Sequence, residues 1–581
     1  MFKLYLNIIV CLSALLIAGA VTAEDNQAAT TEYSVWLGSH YTDFKDYPNK
    51  VGEYNLGKDD HILPEFKLNV ISRSNGKLIY LNSHYYDKEN VNAKLKGIFG
   101  DRLNFEVQYR SLTKQQGQDL LENMQAQEFA GLNADFTDKS GGKMITHEIT
   151  DPGADYNYNR HEIMTKISLL LSKKNNLKLV AAHRSILKKG TEQLVTSNHC
   201  YSCHLTSKTV EVDKQTHQVE AGLEADVKDY SVGYTMGYRT FKSKIDDPTA
   251  DYDNAQHPVT GGNGAEFGSR LIYDDTTLPY GVYPETEKMS HKVRLKGKVG
   301  KGRIASSFAY SKTTNNKTDL NSDAISGAVN YSVPLSPKTR LIAKASVIKL
   351  NADDPFIDLP TYREGTPAPP YIDFDFTRYS SIDRLDGKFS AEVISRLNNR
   401  WTLSVLGEFR RIDRDDYPVY NEGWTTNKMT GQAKLRYRKG LKYTSSFKYR
   451  FEKTSDPYVS SRGLFEDIGR DNLSPLEGSS FIFYLQREDL RYQNITTEPT
   501  DMHQFDWNLN WQSSNEVSFS IAAKVAYDQN SDLDSLDVEH FSALPGIALN
   551  FMPDSRTVIT SGYTYGYYKS RGPVAVALFD G

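Results

Sequence analysis

The chain has 581 residues, too many for one ordinary soluble domain, and its formal net charge of −4 singles out no charged partner because both signs are spread along it. Its hydrophobic fraction of 39% is low for a large soluble core, yet aromatics reach 12% with 37 tyrosines. A Tyr-rich, helix-poor chain of this kind suits an outer-membrane β-barrel, with a soluble β-rich exported protein as the alternative.

The first 23 residues read as a secretory signal peptide. Lys3 supplies the positive end, an apolar run follows, and Val21-Thr22-Ala23 is a small-residue cleavage site. Val10 is too large for the position before a lipidated Cys11. Cleavage after Ala23 leaves Cys200 and Cys203 as the cysteines of the exported chain. No later run approaches the ~18 apolar residues of a transmembrane helix.

From there the sequence alternates. "LNFEVQYR" starts at Leu103; "HKVRLKGKV" sets Val293, Leu295, Gly297 and Val299 against Lys292, Arg294, Lys296 and Lys298. "QAKLRYR" sets Ala433, Leu435 and Tyr437 against Lys434 and Arg436, and "FDWNLNW" sets Phe505, Trp507, Leu509 and Trp511 against Asp506, Asn508 and Asn510. Period two is the mark of a β-strand. An apolar, aromatic face opposite a charged one, repeated over most of the chain, fits lipid outside and water inside. The pattern predicts an all-β, antiparallel transmembrane barrel of roughly 20–22 strands spanning 24–581, each long enough for a tilted strand to cross.

Short polar turns are expected at "SRSNGK", "FGDR", "SKKNN", "VGKGR", "PLSPKT", "RLNNR", "RKGLK", "QSSNE" and "MPDSR". Longer loops are expected near 112–160, 189–215, 244–286, 352–380 and 455–501. Short turns on one side and long loops on the other correspond to the periplasmic and extracellular ends. The chain finishes at Phe579-Asp580-Gly581. Either a short last strand pairs with the first, or one or more closing strands are missing; the second is expected, since lipid tolerates no open edge.

One stretch carries chemistry. "NHCYSCHL" holds Cys200, Cys203 and His204 in the C-x-x-C-H pattern of covalent haem attachment. Two thiols add to the haem vinyl groups and the adjacent His204 reaches the iron. A loop disulfide is the main alternative, and zinc a weaker one, because no second C-x-x-C or spaced His pair accompanies the motif. For the sixth iron position His217 ranks ahead of His183 and His199, although its parity with Val219 points it at lipid in a regular strand. Asp528, Asn530, Asp532, Asp534 and Glu539 have the spacing of a calcium loop, but Leu533 stands where that loop needs Gly, so an acidic solvated loop is expected. No catalytic triad, P-loop, metalloprotease or dinucleotide fingerprint is present, and the chain is not expected to be an enzyme.

Together with the N-terminal "SVWLGSHYTDFKDYPNKVGEYNLG", the exported, alternating pattern resembles the MtrB/PioB-type outer-membrane barrels of porin–cytochrome conduits. The resemblance implies a sheath around a periplasmic multihaem cytochrome, with an extracellular multihaem cytochrome as a further partner, for electron transfer across the outer membrane. Members of that family often carry a C-x-x-C near the mature N-terminus, which this chain lacks, and tend to be longer. The lumen-facing Lys292, Arg294, Lys296, Lys434 and Arg436 are expected either to grip a cytochrome or to solvate the pore wall. A general or substrate-specific porin or transporter with a loop disulfide is the rival reading.

Overall fold

The structure, a computed structural model, describes residues 30–41, 53–54, 62–120, 145–198, 203–252, 276–357, 383–417, 422–440, 442–458, 498–530, 538–554 and 556–572, with short pieces at 362–363, 371–372 and 376–377. The signal peptide and Cys11 lie outside these residues. The architecture is all-β, a single large antiparallel barrel wall.

The wall begins with β1 (Thr30–Tyr41), β2 (Ile62–Ser74), β3 (Lys77–Tyr85), β4 (Val91–Phe99) and β5 (Leu103–Gln116). It continues through β6 (Tyr156–Ser172), β7 (Leu177–Asn198), β8 (Cys203–Val227), β9 (Tyr230–Ser243) and β10 (Thr286–Val299). Next come β11 (Gly302–Asn315), β12 (Leu320–Ser336), β13 (Thr339–Ala352), β14 (Arg384–Arg396), β15 (Trp401–Tyr417) and β16 (Glu422–Lys439). Finally there are β17 (Tyr443–Ser455), β18 (Asp501–Gln512), β19 (Val517–Asn530) and β20 (Val538–Phe551). The segments Ile559–Thr564 and Tyr567–Arg571 keep one register against β20 and together form β21. Each strand pairs with its neighbours in sequence, and the count falls within the expected range.

β1 and β21 are each paired on one side only among the described residues, and both are exposed along nearly their whole length. They run in the same direction, so pairing them directly makes a parallel seam, whereas an antiparallel seam takes one further strand. The expectation about the chain's last residues falls on 573–581, outside the described residues.

All nine short turns form where the sequence places them, and they share one rim. Asn75-Gly76 shows why: both have positive φ (26° and 76°), as a two-residue hairpin turn requires. A tenth turn at Lys228-Asp229 joins them; its sequence carries no glycine, and Lys228 adopts φ 56°. Long and short connections mix at the opposite rim.

The predicted faces hold. Phe505 and Trp511, 41% and 47% exposed, lie on the outer face with Met289, Val293, Phe389, Val405 and Phe409. Aromatic groups mark two heights on that face. At the short-turn rim Trp401 packs on Tyr437, and Trp511 stacks on Phe519. Higher up, histidines meet tyrosines: Tyr109 with His161, Tyr234 with His291, Tyr449 with His503. His503 and Trp511 are eight positions apart in β18. At ~3.4 Å per residue and ~40° of tilt that is roughly 20 Å of height, close to the ~25 Å apolar band of an outer-membrane barrel.

The inner face is a set of cross-strand ion pairs. Arg410 grips Asp386 through two nitrogens, Lys388 reaches Glu408 (2.7 Å), and Glu452 sits between Lys428 and Arg450. The most deeply buried side chains lie elsewhere, toward the long-loop rim: Tyr156 and Ser207 are 0% exposed, with Thr113, Asp87 and Val212 close behind.

Candidate functional site

The segment 189–215, expected as a loop, is instead the upper part of a hairpin. β7 and β8, of 22 and 25 residues, are the longest strands of the wall. Their pairing runs without a break from Lys178 opposite Glu224 to Asn198 opposite His204. Ser185, opposite His217, lies at about the height of the His–Tyr belt, and Asn198 is thirteen positions further. At ~3.4 Å per residue the hairpin therefore rises ~40 Å along its axis beyond the belt. It forms an arm, and Cys203 and His204 of the C-x-x-C-H motif lie at its far end.

An isolated two-stranded ribbon is marginal in water. This one is braced on both sides. The short strand Ile145–Ile149 pairs in parallel with Cys203–Ser207. The Thr150 amide and hydroxyl both donate to the Ser207 carbonyl (2.9 Å each), and the Thr209 amide donates to Asp151 (2.8 Å). The Thr209 amide, then the Thr209 hydroxyl, hold the Asp151 carboxyl below the usual aspartate range. Gln193 donates to the Ser207 hydroxyl and the Asp119 carbonyl while accepting from the Asp119 amide. On the other flank Tyr280 donates to the Val195 carbonyl (2.8 Å), and Lys208 donates to the Thr249 carbonyl. Nearer the wall Lys188 lies 3.7 Å from the centre of the Tyr158 ring, and Lys214 4.4 Å from that of Tyr283.

The candidate haem residues separate along this arm. Cys200, with His199, falls in 199–202, outside the described residues. Cys203 and His204 open β8, with the His204 backbone paired to Asn198 on one side and Thr146 on the other. His217 is corrected as the sixth ligand. The strand between His204 and His217 is continuous and unbulged, so thirteen residues place them ~40 Å apart. His217 lies exposed on the outer face, as its parity predicts, and its Nδ1 is 3.0 Å from the Ser185 hydroxyl. His183 lies beside it, opposite Val219, on the same face and equally remote. A c-type haem at this motif would be held by Cys200, Cys203 and His204, of which Cys203 and His204 open β8 clear of the wall.

The calcium spacing resolves into two strand ends. Asp528 closes a contact with His540 Nδ1 (2.6 Å), Asn530 donates to the Glu498 carbonyl, and Glu539 pairs in the ladder opposite Gln529. Asp532 and Asp534 lie outside the described residues. No group of three or more His, Cys, Asp or Glu side chains converges on a metal position among the described residues.

The five lumen cations divide. Lys292 donates to Glu220 (3.1 Å), whereas Arg294, Lys296, Lys434 and Arg436 make no ion pair among the described residues. The carboxylates that neutralise the rest of the wall, Glu162, Glu220, Asp386, Glu408, Glu452 and Asp506, were not marked as a set by the sequence. Alternation shows that each faces inward, but its partner depends on the register of a neighbouring strand.

No family model matches the chain, and no curated protein sequence does. Among solved structures it is similar to the FrpB iron transporter from Neisseria meningitidis, F3-3 variant, at 8% identity over 84% of this chain and 72% of that one, TM-score 0.45. It is similar to the copper transporter OprC at 8% identity over 91% and 75%, TM-score 0.44. The unliganded ferric citrate transporter FecA follows at 10% identity over 88% and 74%, TM-score 0.40. At these identities the likeness lies in the strand architecture.

Proposed function

We propose that this chain is an outer-membrane barrel that encloses an electron-carrying protein, a periplasmic multihaem cytochrome, and holds one c-type haem of its own outside the membrane. The observation that carries this reading is the braced arm, which sets Cys203 and His204 ~40 Å beyond the His–Tyr belt. A passive pore gains nothing from that construction. Bound there, a haem would supply a one-electron site, but a lone site so far from the bilayer cannot bridge ~30 Å of hydrocarbon. Carriers in the lumen would have to do so. The wall leaves room for them: 21 strands at ~4.8 Å spacing and ~40° tilt enclose roughly 40 Å between backbones.

The test is the intact mass of the chain purified from cells that mature c-type cytochromes. One added haem is expected, lost in Cys200→Ala/Cys203→Ala, with a multihaem cytochrome co-purifying. A mass without haem that gains two hydrogens on reduction overturns the haem reading. It would favour the rival, a solute passage, for which a lumen lined by compensated ion pairs is an ordinary hydrated wall.

A further inference from the structure

The inner face is not uniformly neutralised. From β14 to β18 four cations, Lys388, Arg410, Lys428 and Lys448, meet carboxylates on adjoining strands, although Lys434 and Arg436 of β16 do not among the described residues. Over β10 to β13, below the Lys292–Glu220 pair, cations meet no carboxylate in this way among the described residues. Arg294 and Lys296 of β10, Arg303 of β11 and Lys344 of β13 all face inward, are exposed, and have no ion pair among the described residues. Lys296, Ala305, Asn330 and Lys344 form one hydrogen-bonded row, and Arg294, Ser307, Ala328 and Ser346 form the next. The side chains between the cations are therefore small. The result is a shallow groove with Arg294 and Lys296 on one bank and Lys344 on the other, Lys388 and Glu408 closing its far side.

We propose that this groove docks an acidic polypeptide surface that enters the lumen through the short-turn rim. The proposal rests on the enclosed-partner reading and names that partner's chemistry. Three observations carry it. The ladder partners of Arg294, Lys296 and Lys344 are small or neutral, and the carboxylates at the groove's border are already engaged, Glu392 by the Ser404 hydroxyl and Glu408 by Lys388, so a ligand can bring further neutralising charge; complementary charge of this kind steers encounter and fixes register. The strip is broad: Lys296 and Lys344 are three strands apart, ~14 Å at ~4.8 Å per strand, too wide for one small anion to bridge. It also lies low, Arg303 three positions and Lys296 four positions from Gly300 in the short turn. Glu224 and Asp226 of β8 bound it on one side, Asp226 being occupied by Asn176 (2.8 Å).

The experiment uses the full chain in detergent, without haem or cytochrome, and a fluorescent ten-residue oligoglutamate read by anisotropy. Binding is expected at low salt and should weaken steeply as salt rises. The Arg294→Glu/Lys296→Glu/Lys344→Glu variant should bind at least tenfold more weakly. Lys338→Glu/Lys442→Glu, at the same rim but outside the strip, should bind as the parent does. If charge reversal prevents folding, judged by loss of heat-modifiable migration, the Arg294→Ser/Lys296→Ser/Lys344→Ser variant replaces it, since serine already lines this groove. Equal binding by the strip variant, an equal loss in the rim control, or preference for oligolysine overturns the proposal. Because the assay contains no haem, it can fail while the mass measurement succeeds, and the reverse.

Discussion

The arm and the wall are parts of the same strands held by different means. Below the His–Tyr belt β7 and β8 have one face toward lipid and one toward the lumen, and exposure alternates along β8 from His217 to Leu223. Above it the alternation stops: residues 191–195 are all half-buried, Thr196 is 5% exposed and Ser207 fully buried. The wall is stabilised by lipid on one face and ion pairs on the other. The arm stands in water, so loops must cover both of its faces and satisfy its edges. The difference teaches that the arm is a separate structural unit, built to keep its tip at a fixed height.

The sharpest way to break this comparison is Tyr156→Ala. Tyr156 is fully buried at the arm's base, and its hydroxyl accepts from Thr209 (3.3 Å). Truncating a buried aromatic costs about 3–5 kcal/mol. Hydrogen exchange over 203–213 should rise sharply and proteases should cut the arm, while heat-modifiable migration of the barrel persists. Loss of that migration would mean that arm and wall fold as one unit.

Next in size is a cut in the wall. Glu452 is 5% exposed and serves both Lys428 and Arg450. Glu452→Gln leaves two cations facing each other. Since both partners are more than a third exposed, solvent screens the loss, and about 1–2 kcal/mol is expected rather than the cost of a fully buried pair. The urea midpoint for unfolding from detergent should fall, with arm exchange unchanged. A matching rise in arm exchange would show that the two regions are coupled.

The same contrast explains what the sequence disclosed. "HKVRLKGKV" and "FDWNLNW" were legible because lipid and water impose opposite demands on alternate residues. "KKGTEQLVTSN" was not, because loops cover both faces of that ribbon and neither face needs to be apolar. Its strands therefore read as a loop, and the separation of His217 from His204 was hidden with them. His217's parity with Val219 was legible and correct. The unpaired state of Arg294 and Lys296 was not, for it depends on Ala305, Ser307, Asn330 and Ala328 lying across from them, and register between strands is not written locally.

The smallest expected effect concerns acid. Asp151 holds the Thr209 amide, and its carboxyl stays ionised below the usual aspartate range. A depressed carboxylate stabilises the folded arm at any pH above the ordinary aspartate value of about 4, and that contribution disappears as pH falls through the lower folded value. Asp151 is exposed to solvent, so the effect should be local: faster exchange at Thr209 and Ser207, with no loss of the barrel. Asp151→Asn keeps the shape but accepts from the amide as a neutral group. Exchange at these amides, corrected for its intrinsic pH dependence, should show in Asp151→Asn at pH 6 the looseness that the parent reaches only below about pH 4. The variant should then change little on acidification. If parent and variant loosen together as pH falls, the acid-sensitive brace lies elsewhere. Another carboxylate contact just outside the arm, Asp247 held by Lys317 and the Tyr283 amide, is then the next to replace.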